Sequence, residues 1–278
     1  MPARRLLFAL ATSERFERWV ARDPRARARA WRSARRYVAG ETADDALRVA
    51  GALAANGLRA SLDLFGQRVL DPGAAERVTE AYLRLAGRLP AGTWLSLDLS
   101  HIAFDGAALR RISAALPDGA RVQVGAEEAA VTDRVLDVVL QVGGDRVDAT
   151  VQANLRRSPD DAMRLAAAGI PVRLVKGAYV EDRAAALPWG PETEAAYTRI
   201  ALRLGEAGAA VRLATHDDAL HRLLLPALPD ADCEVLLGVW PERAAALHAA
   251  GRRVRVYVPF GPEWFRYFMR RRAESQGA

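Results

Sequence analysis

Short runs of apolar, β-favouring residues recur along the chain, and longer segments with helical periodicity separate them. In the run VRLVK, for example, Val172, Leu174 and Val175 are apolar, whereas Arg173 and Lys176 are cationic. This pattern predicts eight strands, at residues 59–65, 94–99, 121–125, 148–152, 172–176, 211–215, 234–238 and 253–258.

Glycines follow several predicted helices directly before a strand, which is typical of C-terminal helix caps. They are Gly57, Gly169, Gly208 and Gly251. Eight alternations of strand and helix predict an α/β fold, a distorted (βα)8 TIM-like barrel. An open doubly wound sheet is the alternative, but the first strand ends in LDLFGQRV, without a glycine-rich phosphate loop.

The first part of the chain has helical character and no predicted strand. We therefore predict an N-terminal helical arm at residues 1–57, packed on a barrel at residues 58–278, in a single domain overall. No apolar run approaches the ~20 residues that span a bilayer. The LLFALA run near the start is too short for a signal peptide, so the expected location is the cytoplasm.

Composition limits the classes of function. The single cysteine, Cys233, excludes an internal disulfide and a cysteine-based metal cluster. The four histidines lack metal-ligand spacing, so no metal is expected. The net charge of +6 permits nucleic-acid binding. However, the arginines are mixed with acidic residues, and no aromatic-rich basic motif occurs, so nucleic acid is not an expected partner.

The chemistry of a (βα)8 barrel lies at the carboxyl ends of its strands. Two cations in a core strand are costly unless they meet anions, so Arg173 and Lys176 attract attention. A barrel lyase that forms a Schiff base through Lys176 is one interpretation of the fold alone. The polar side chains predicted at this end are Asp98, Gln152, Arg173, Lys176, Thr215, His216, Asp217 and Tyr257.

Several motifs, in order along the chain, resemble those of the monofunctional, FAD-dependent proline dehydrogenases, flavoenzymes on a (βα)8 barrel. VRLVKGAYVE, from residue 172, resembles their signature strand. RRYVAGET at 35–42, TVQANLRRS at 150–158 and LATHD at 213–217 resemble their N-terminal arm, fourth strand and sixth strand. RVYVPFGPEWFRYFMRRRAE at 255–274 resembles their eighth strand and last helix. We identify the chain as a divergent member of this family.

The resemblance implies a dehydrogenase that oxidises the C–N bond of proline, to 1-pyrroline-5-carboxylate, or of a proline-like secondary amine. It implies that Arg173 contacts the flavin and stabilises the negative charge of its reduced ring. The residues that it assigns to the cofactor are Gln152, Arg173, Lys176, Gly177, Ala178, Thr215 and His216.

The last helix carries the expected substrate site. Its residues at i, i+3, i+4 and i+7 share one face, and they are Tyr267, Arg270, Arg271 and Glu274. Two arginines there are suited to clamping a carboxylate, with Glu274 orienting Arg270. The resemblance implies that Tyr257 packs over the substrate ring and that Tyr179 adds a second aromatic contact.

Two positions depart from the family's pattern. Asp98, in SLDL, stands where the family has a lysine that binds the substrate carboxylate, and Gly125 stands where it has an aspartate. A carboxylate ~4 Å from Asp98 would be repelled by about 4 kcal/mol at an effective dielectric near 20. We therefore keep Asp98 as a candidate catalytic residue, and a different amine or amino-acid derivative of a specialised pathway as an alternative substrate.

The expected partners are a small-molecule amine or imino acid and an electron acceptor, either a quinone or oxygen. The basic chain favours at most peripheral contact with anionic lipid of the inner membrane. A flavin-binding but catalytically inactive homologue is a further alternative, and no sequence pattern indicates an oligomeric state.

Overall fold

A computed structural model describes residues 14–66, 69 and 71–274. Its centre is a closed barrel of eight parallel strands, paired in chain order. The prediction of a (βα)8 barrel is confirmed, and the open sheet is excluded. The strands are β1 Arg59–Leu64, β2 Trp94–Leu97, β3 Val122–Val124, β4 Val147–Gln152, β5 Val172–Val175, β6 Val211–Ala214, β7 Asp232–Leu236 and β8 Val254–Phe260.

Helices surround the barrel and precede it. Short 3₁₀ turns, Leu99–Ile102 and Ala129–Val131, follow β2 and β3. The α-helices are α1 Glu14–Arg22, α2 Pro24–Ala34, α3 Ala43–Ala54, α4 Pro72–Ala86, α5 Gly106–Ala114, α6 Thr132–Val142, α7 Ser158–Ala167, α8 Pro191–Glu206, α9 Asp218–Leu224, α10 Pro241–Ala249 and α11 Trp264–Glu274. In the described part of the chain, no helix is both long and apolar enough to cross a membrane.

The four glycines predicted as helix caps all have positive φ, between 68° and 78°. After Gly57, the N–H of Leu58 donates to the carbonyl of Leu53 at 3.0 Å, which closes α3 in a Schellman-type turn. The N–H of Ile170 donates in the same way to Leu165 at 3.0 Å. These caps turn the chain directly from a helix into the next strand.

The amino-terminal end of the barrel is filled by a buried ionic network. Asp148 on β4 is fully buried and pairs with Arg121 and Arg212. Arg212 also pairs with Asp232 of β7, at 3.1 Å. Asp148, Arg212 and Asp232 thus satisfy one another's charges at this end, and polar groups suited to a ligand are found at the opposite end.

The helices before β1 position the last helix. α3 packs against β1 and β8, and α2 packs against α11. A second apolar cluster joins these elements, comprising Val20, Ala34, Val38, Phe65, Trp264, Phe265, Tyr267, Phe268 and Met269. This cluster holds α11 across the carboxyl end of the barrel. The predicted division between residues 57 and 58 stays a prediction.

Candidate active site

One cavity of about 330 Å³ lies at the carboxyl ends of the strands, beneath α11. This volume falls in the usual range of ligand pockets. Glu274 ends α11, but its side chain lies outside the described residues. The sequence-predicted residues that line the cavity are Asp98, Gln152, Arg173, Lys176, Gly177, Ala178, Tyr179, Thr215, His216, Tyr257, Tyr267, Arg270 and Arg271. Their individual roles stay predictions.

Arg173 meets a carboxylate inside the barrel. Strand alternation directs Leu174, which is fully buried, away from the cavity and Arg173 into it. The Arg173 Nε donates to Glu234 Oε2 at 2.6 Å, and these side chains are 14% and 1% exposed. The sequence analysis missed Glu234 because it placed this residue at the start of β7, whereas the strand begins at Asp232. The cost of burying Arg173 is thus offset within the protein.

Lys176 also has protein partners. Its Nζ donates to Glu194 Oε1 at 2.9 Å and to Asp217 Oδ2 at 2.6 Å. Burial alone would lower the pKa of Lys176, but these hydrogen bonds and charges outweigh burial and raise it. Asp217 also caps α9 by accepting from Ala219 N. A Schiff-base lysine needs a lowered pKa, so this arrangement argues against the lyase interpretation.

The loops after β3 and β5 are joined by Gln152, whose Nε2 donates to the Glu127 carbonyl at 2.9 Å. Its Oε1 accepts from the N–H of Ala178 at 3.2 Å. At Gly177, φ is 129°, and an added Cβ would lie 2.1 Å from the side-chain oxygen of Asn154. Only glycine fits here, which keeps backbone rather than side chain at the cavity wall.

Two buried polar atoms at the cavity lack partners among the described residues. His216 Nε2 accepts from Leu236 N at 3.0 Å, so Nδ1 carries the ring proton in the neutral form. Burial, with the charge of Arg271 nearby, lowers the pKa of His216 to about 4. Its Nδ1 and the hydroxyl of Thr150 are both buried without a hydrogen-bond partner in the described structure. A bound polar ligand would satisfy both.

Asp63, at the end of β1, is a second acid that the sequence analysis missed. Tyr257 donates to Asp63 Oδ2, and the Tyr82 hydroxyl lies 3.3 Å from Oδ1. Burial, together with the negative charge of Asp98, raises the pKa of Asp63 above its ordinary range. The sequence feature that could have identified Asp63 is its place in LDLF, where β1 ends at the cavity. Tyr257 is thus fixed from below by a carboxylate.

Asp98 occupies the space that a side chain at position 125 would fill. A Cβ added to Gly125 would lie 1.9 Å from Asp98 Oδ1. A carboxylate therefore remains in this part of the site, but it comes from Asp98, after β2, rather than from position 125, after β3. Of the two charges expected from the family's pattern, only the lysine is lost. Burial raises the pKa of Asp98, and the positive charges of Arg270 and Arg173 partly oppose the rise.

The arginines of α11 face the cavity between aromatic rings. Arg270 lies 5.3 Å from the ring centre of Phe65 and 6.0 Å from that of Tyr179. Arg271 lies 5.1 Å from the ring centre of Tyr267. Such contacts orient the guanidinium groups, and Arg270 is also hydrogen-bonded to the Tyr179 side chain. The cavity therefore has a cationic roof of two arginines and Asp98 in its wall.

Comparisons with known proteins agree with this geometry. The sequence model of the family described as proline dehydrogenase matches residues 46–278. Proline dehydrogenase of Deinococcus radiodurans is 30% identical over 274 residues, which cover 90% of this chain and 88% of the relative. Proline dehydrogenase 1 of Bacillus subtilis (strain 168) is 31% identical over 260 residues, covering 87% and 86%.

Solved structures show the same fold. Proline utilization A (PutA) from Bdellovibrio bacteriovorus, inactivated by N-propargylglycine, has a TM-score of 0.82 and 20% identity, covering 97% of this chain and 36% of that one. A mutant PutA from Bradyrhizobium japonicum has a TM-score of 0.71 and 22% identity, covering 91% and 32%. This chain therefore spans about a third of the length of these PutA chains.

Proposed function

We propose that this chain, which belongs to the proline dehydrogenase family, oxidises proline to 1-pyrroline-5-carboxylate with FAD as its cofactor. The observation that carries the proposal is that Arg270 and Arg271 of α11 line the same cavity as Asp98, whose carboxylate interacts with the charge of Arg270. The family relatives are proline dehydrogenases and do not favour a different amine.

The charges of the cavity suit a zwitterionic amino acid. Arg270 and Arg271 clamp the carboxylate with charge-assisted hydrogen bonds. Asp98 attracts the secondary ammonium, so its carboxylate is compatible with proline when the two charges of the substrate lie at opposite sides. Tyr179 and Tyr257 line the same cavity and supply aromatic surface for the ring. The family's lysine is therefore replaced by a carboxylate, Asp98, that binds the substrate amine.

The described residues fit a flavin. His216 Nδ1 and the Thr150 hydroxyl are buried groups that need partners, and Gly177 lets a flat ligand approach the backbone closely. When bound, FAD supplies the two-electron oxidation by accepting hydride from the carbon next to the substrate nitrogen. Arg173, held by Glu234, contributes a fixed positive charge to this part of the cavity.

For the electron acceptor we propose a quinone, with oxygen as the competing acceptor. The support is the basic chain, whose net charge of +6 favours peripheral contact with anionic lipid. Proline-dependent reduction of a soluble quinone, measured with and without oxygen, distinguishes the two. Turnover that requires oxygen and ignores the quinone would overturn this choice.

The test of function uses purified, flavin-loaded protein under anaerobic conditions. Bleaching of the flavin absorbance is followed with proline, with pyrrolidine, which lacks the carboxylate, and with acyclic amines. Proline should bleach the flavin fastest, because only it engages the arginine clamp. A flavin that binds but is not reduced by proline would contradict the proposal and support the inactive-homologue alternative.

A pair of variants on α11 isolates the clamp. Arg270→Gln should reduce the preference for proline over pyrrolidine roughly 10- to 100-fold, the effect of a charged hydrogen bond worth about 1.5–3 kcal/mol. Arg272→Gln, at an exposed position of the same helix, should leave the preference unchanged. Equal effects of the two substitutions would show that α11 acts only through its net charge.

A further inference from the structure

His101 is a buried imidazole next to the cavity for which the proposed binding roles give no use. It lies in the 3₁₀ turn after β2 and is 4% exposed. Its Nε2 is 4.0 Å from Oδ2 of Asp98. This separation is longer than a hydrogen bond, but catalytic contacts often tighten when the substrate binds. The imidazole is therefore next to the carboxylate of Asp98.

His101 also lines a second cavity, of about 420 Å³, which shares Phe65 with the active-site cavity. Gly66 lies there, and a Cβ added to Gly66 would be 3.7 Å from His101 Nδ1. This nitrogen is buried, and a polar contact with the Gly66 backbone favours the protonated imidazole, against the effect of burial on the pKa of His101. The second cavity reaches the surface at Pro262, an exposed residue in its lining. His101 thus lies 4.0 Å from Asp98, which lines the active-site cavity, and itself lines the second cavity.

We propose that Asp98 and His101 relay the amine proton of the substrate from the active-site cavity to the second cavity. This inference rests on the proposed amine oxidation. The substrate arrives as a secondary ammonium and must lose one N–H proton before hydride leaves the adjacent carbon. The carboxylate of Asp98 accepts that proton. His101 Nε2 then takes it from Asp98, while the Nδ1 proton passes to water in the second cavity.

Asp98 is better placed for this role than the other two acids of the cavity, since Glu234 is 1% exposed and paired with Arg173. Asp63 is 2% exposed, and both of its oxygens face tyrosine hydroxyls. The Asp98 side chain is 23% exposed and lies opposite the charge of Arg270. Among the three acids that line the cavity, Asp98 is therefore the one that is close to both Arg270 and an imidazole.

The surroundings of Asp98 and His101 bring the pKa values of the two groups closer together. Burial raises the pKa of Asp98 and lowers the pKa of His101, so their proton affinities approach each other, as efficient transfer requires. The cations Arg173 and Arg270 limit the rise at Asp98. The other titratable groups that face the pair are Asp63, Glu127, Glu128, Tyr82, Tyr179 and Tyr257.

The test measures flavin reduction by proline in flavin-loaded protein from pH 5 to pH 9, with a pH indicator recording proton release. Asp98→Asn should slow reduction roughly 10²- to 10⁴-fold, the usual effect of losing a general base. His101→Gln should slow proton release and reduction together, roughly tenfold or more, and added imidazole should restore part of the rate. Both variants should lose the acid limb of the wild-type pH profile.

Glu128→Gln is the matched control, since Glu128 is exposed and also faces Asp98 but carries no proton in the relay. It should shift the acid limb slightly and keep the maximal rate. A His101→Gln protein with the wild-type rate, pH profile and proton release would overturn the relay. So would a slowed His101→Gln protein that imidazole does not rescue. Failure of the wild-type protein to oxidise proline would instead overturn the proposed function.

Discussion

The shared space of Gly125 and Asp98 gives a prediction that can be worked from distances. In Gly125→Ala, the new Cβ would lie 1.9 Å from Asp98 Oδ1 and 3.2 Å from its carboxyl carbon. The next contact, the Leu97 carbonyl at 3.8 Å, is ordinary. Asp98 alone must therefore move, and overpacking of this kind costs about 1–3 kcal/mol. Removing the Asp98 side chain should abolish that cost.

The assay is a double-mutant cycle of urea unfolding on the wild type, Gly125→Ala, Asp98→Ala and the double variant, at equal flavin occupancy. The coupling between the two positions should be about 1–3 kcal/mol, since the alanine is harmless once Asp98 is absent. Gly51→Ala is the control: nothing lies within 4 Å of its added Cβ, at an exposed helix position. It should stabilise the protein by about 0.5–1 kcal/mol. Additive single effects, within about 0.5 kcal/mol, would refute the shared-space reasoning.

Three further predictions concern buried charges. Glu234→Gln leaves the buried Arg173 without its counter-charge, so unfolding in urea should show a loss of about 3–5 kcal/mol, and proline turnover should fall too. Asp148→Asn should lower the free energy of unfolding by a similar amount, about 3–5 kcal/mol, because Arg121 loses its counter-charge. Proline kinetics should not change, since Asp148 lies at the end of the barrel opposite the cavity. His216 has an ordinary pKa of 6.5 but about 4 when folded, so the unfolded chain binds its proton first. Stability should therefore decline as pH falls from 6.5 towards 4, and thermal melts of His216→Gln should show a shallower decline.

Much of the fold could be predicted because local signals and topology agree. Apolar runs located every strand to within two residues at each end, and glycines located the four helix caps. The errors concentrate in β7, which begins at Asp232 rather than at Glu234. An acidic residue such as Glu234, directly before an apolar run, is easily taken for the first residue of the strand. Its partner, Arg173, lies 61 positions away in the chain and becomes visible only when the barrel closes.

The site was predictable where strand alternation and helix periodicity decide orientation, as for Arg173 and Arg270. It was not predictable where two positions compete for one space. Aligned by position, Asp98 and Gly125 suggest that one charge of each sign has been lost. In three dimensions, the Asp98 carboxylate fills the space beside Gly125, so the anion is kept. A sequence pattern records which residue follows which, but not which atoms share a volume.

This difference changes the electrostatic problem that the substrate meets. Arg173 and Lys176 are each hydrogen-bonded to acidic side chains of the protein, so part of their charge is compensated within the protein. Arg270 of α11 and Asp98 are opposed charges that line the same cavity and act on each other. The repulsion of about 4 kcal/mol that Asp98 would exert on a carboxylate at ~4 Å becomes an equal attraction for an ammonium. For a zwitterion bound with its carboxylate towards α11 and its amine towards β2, the replacement of the family's lysine by Asp98 therefore strengthens binding. The same orientation places the amine proton beside the group that we propose removes it.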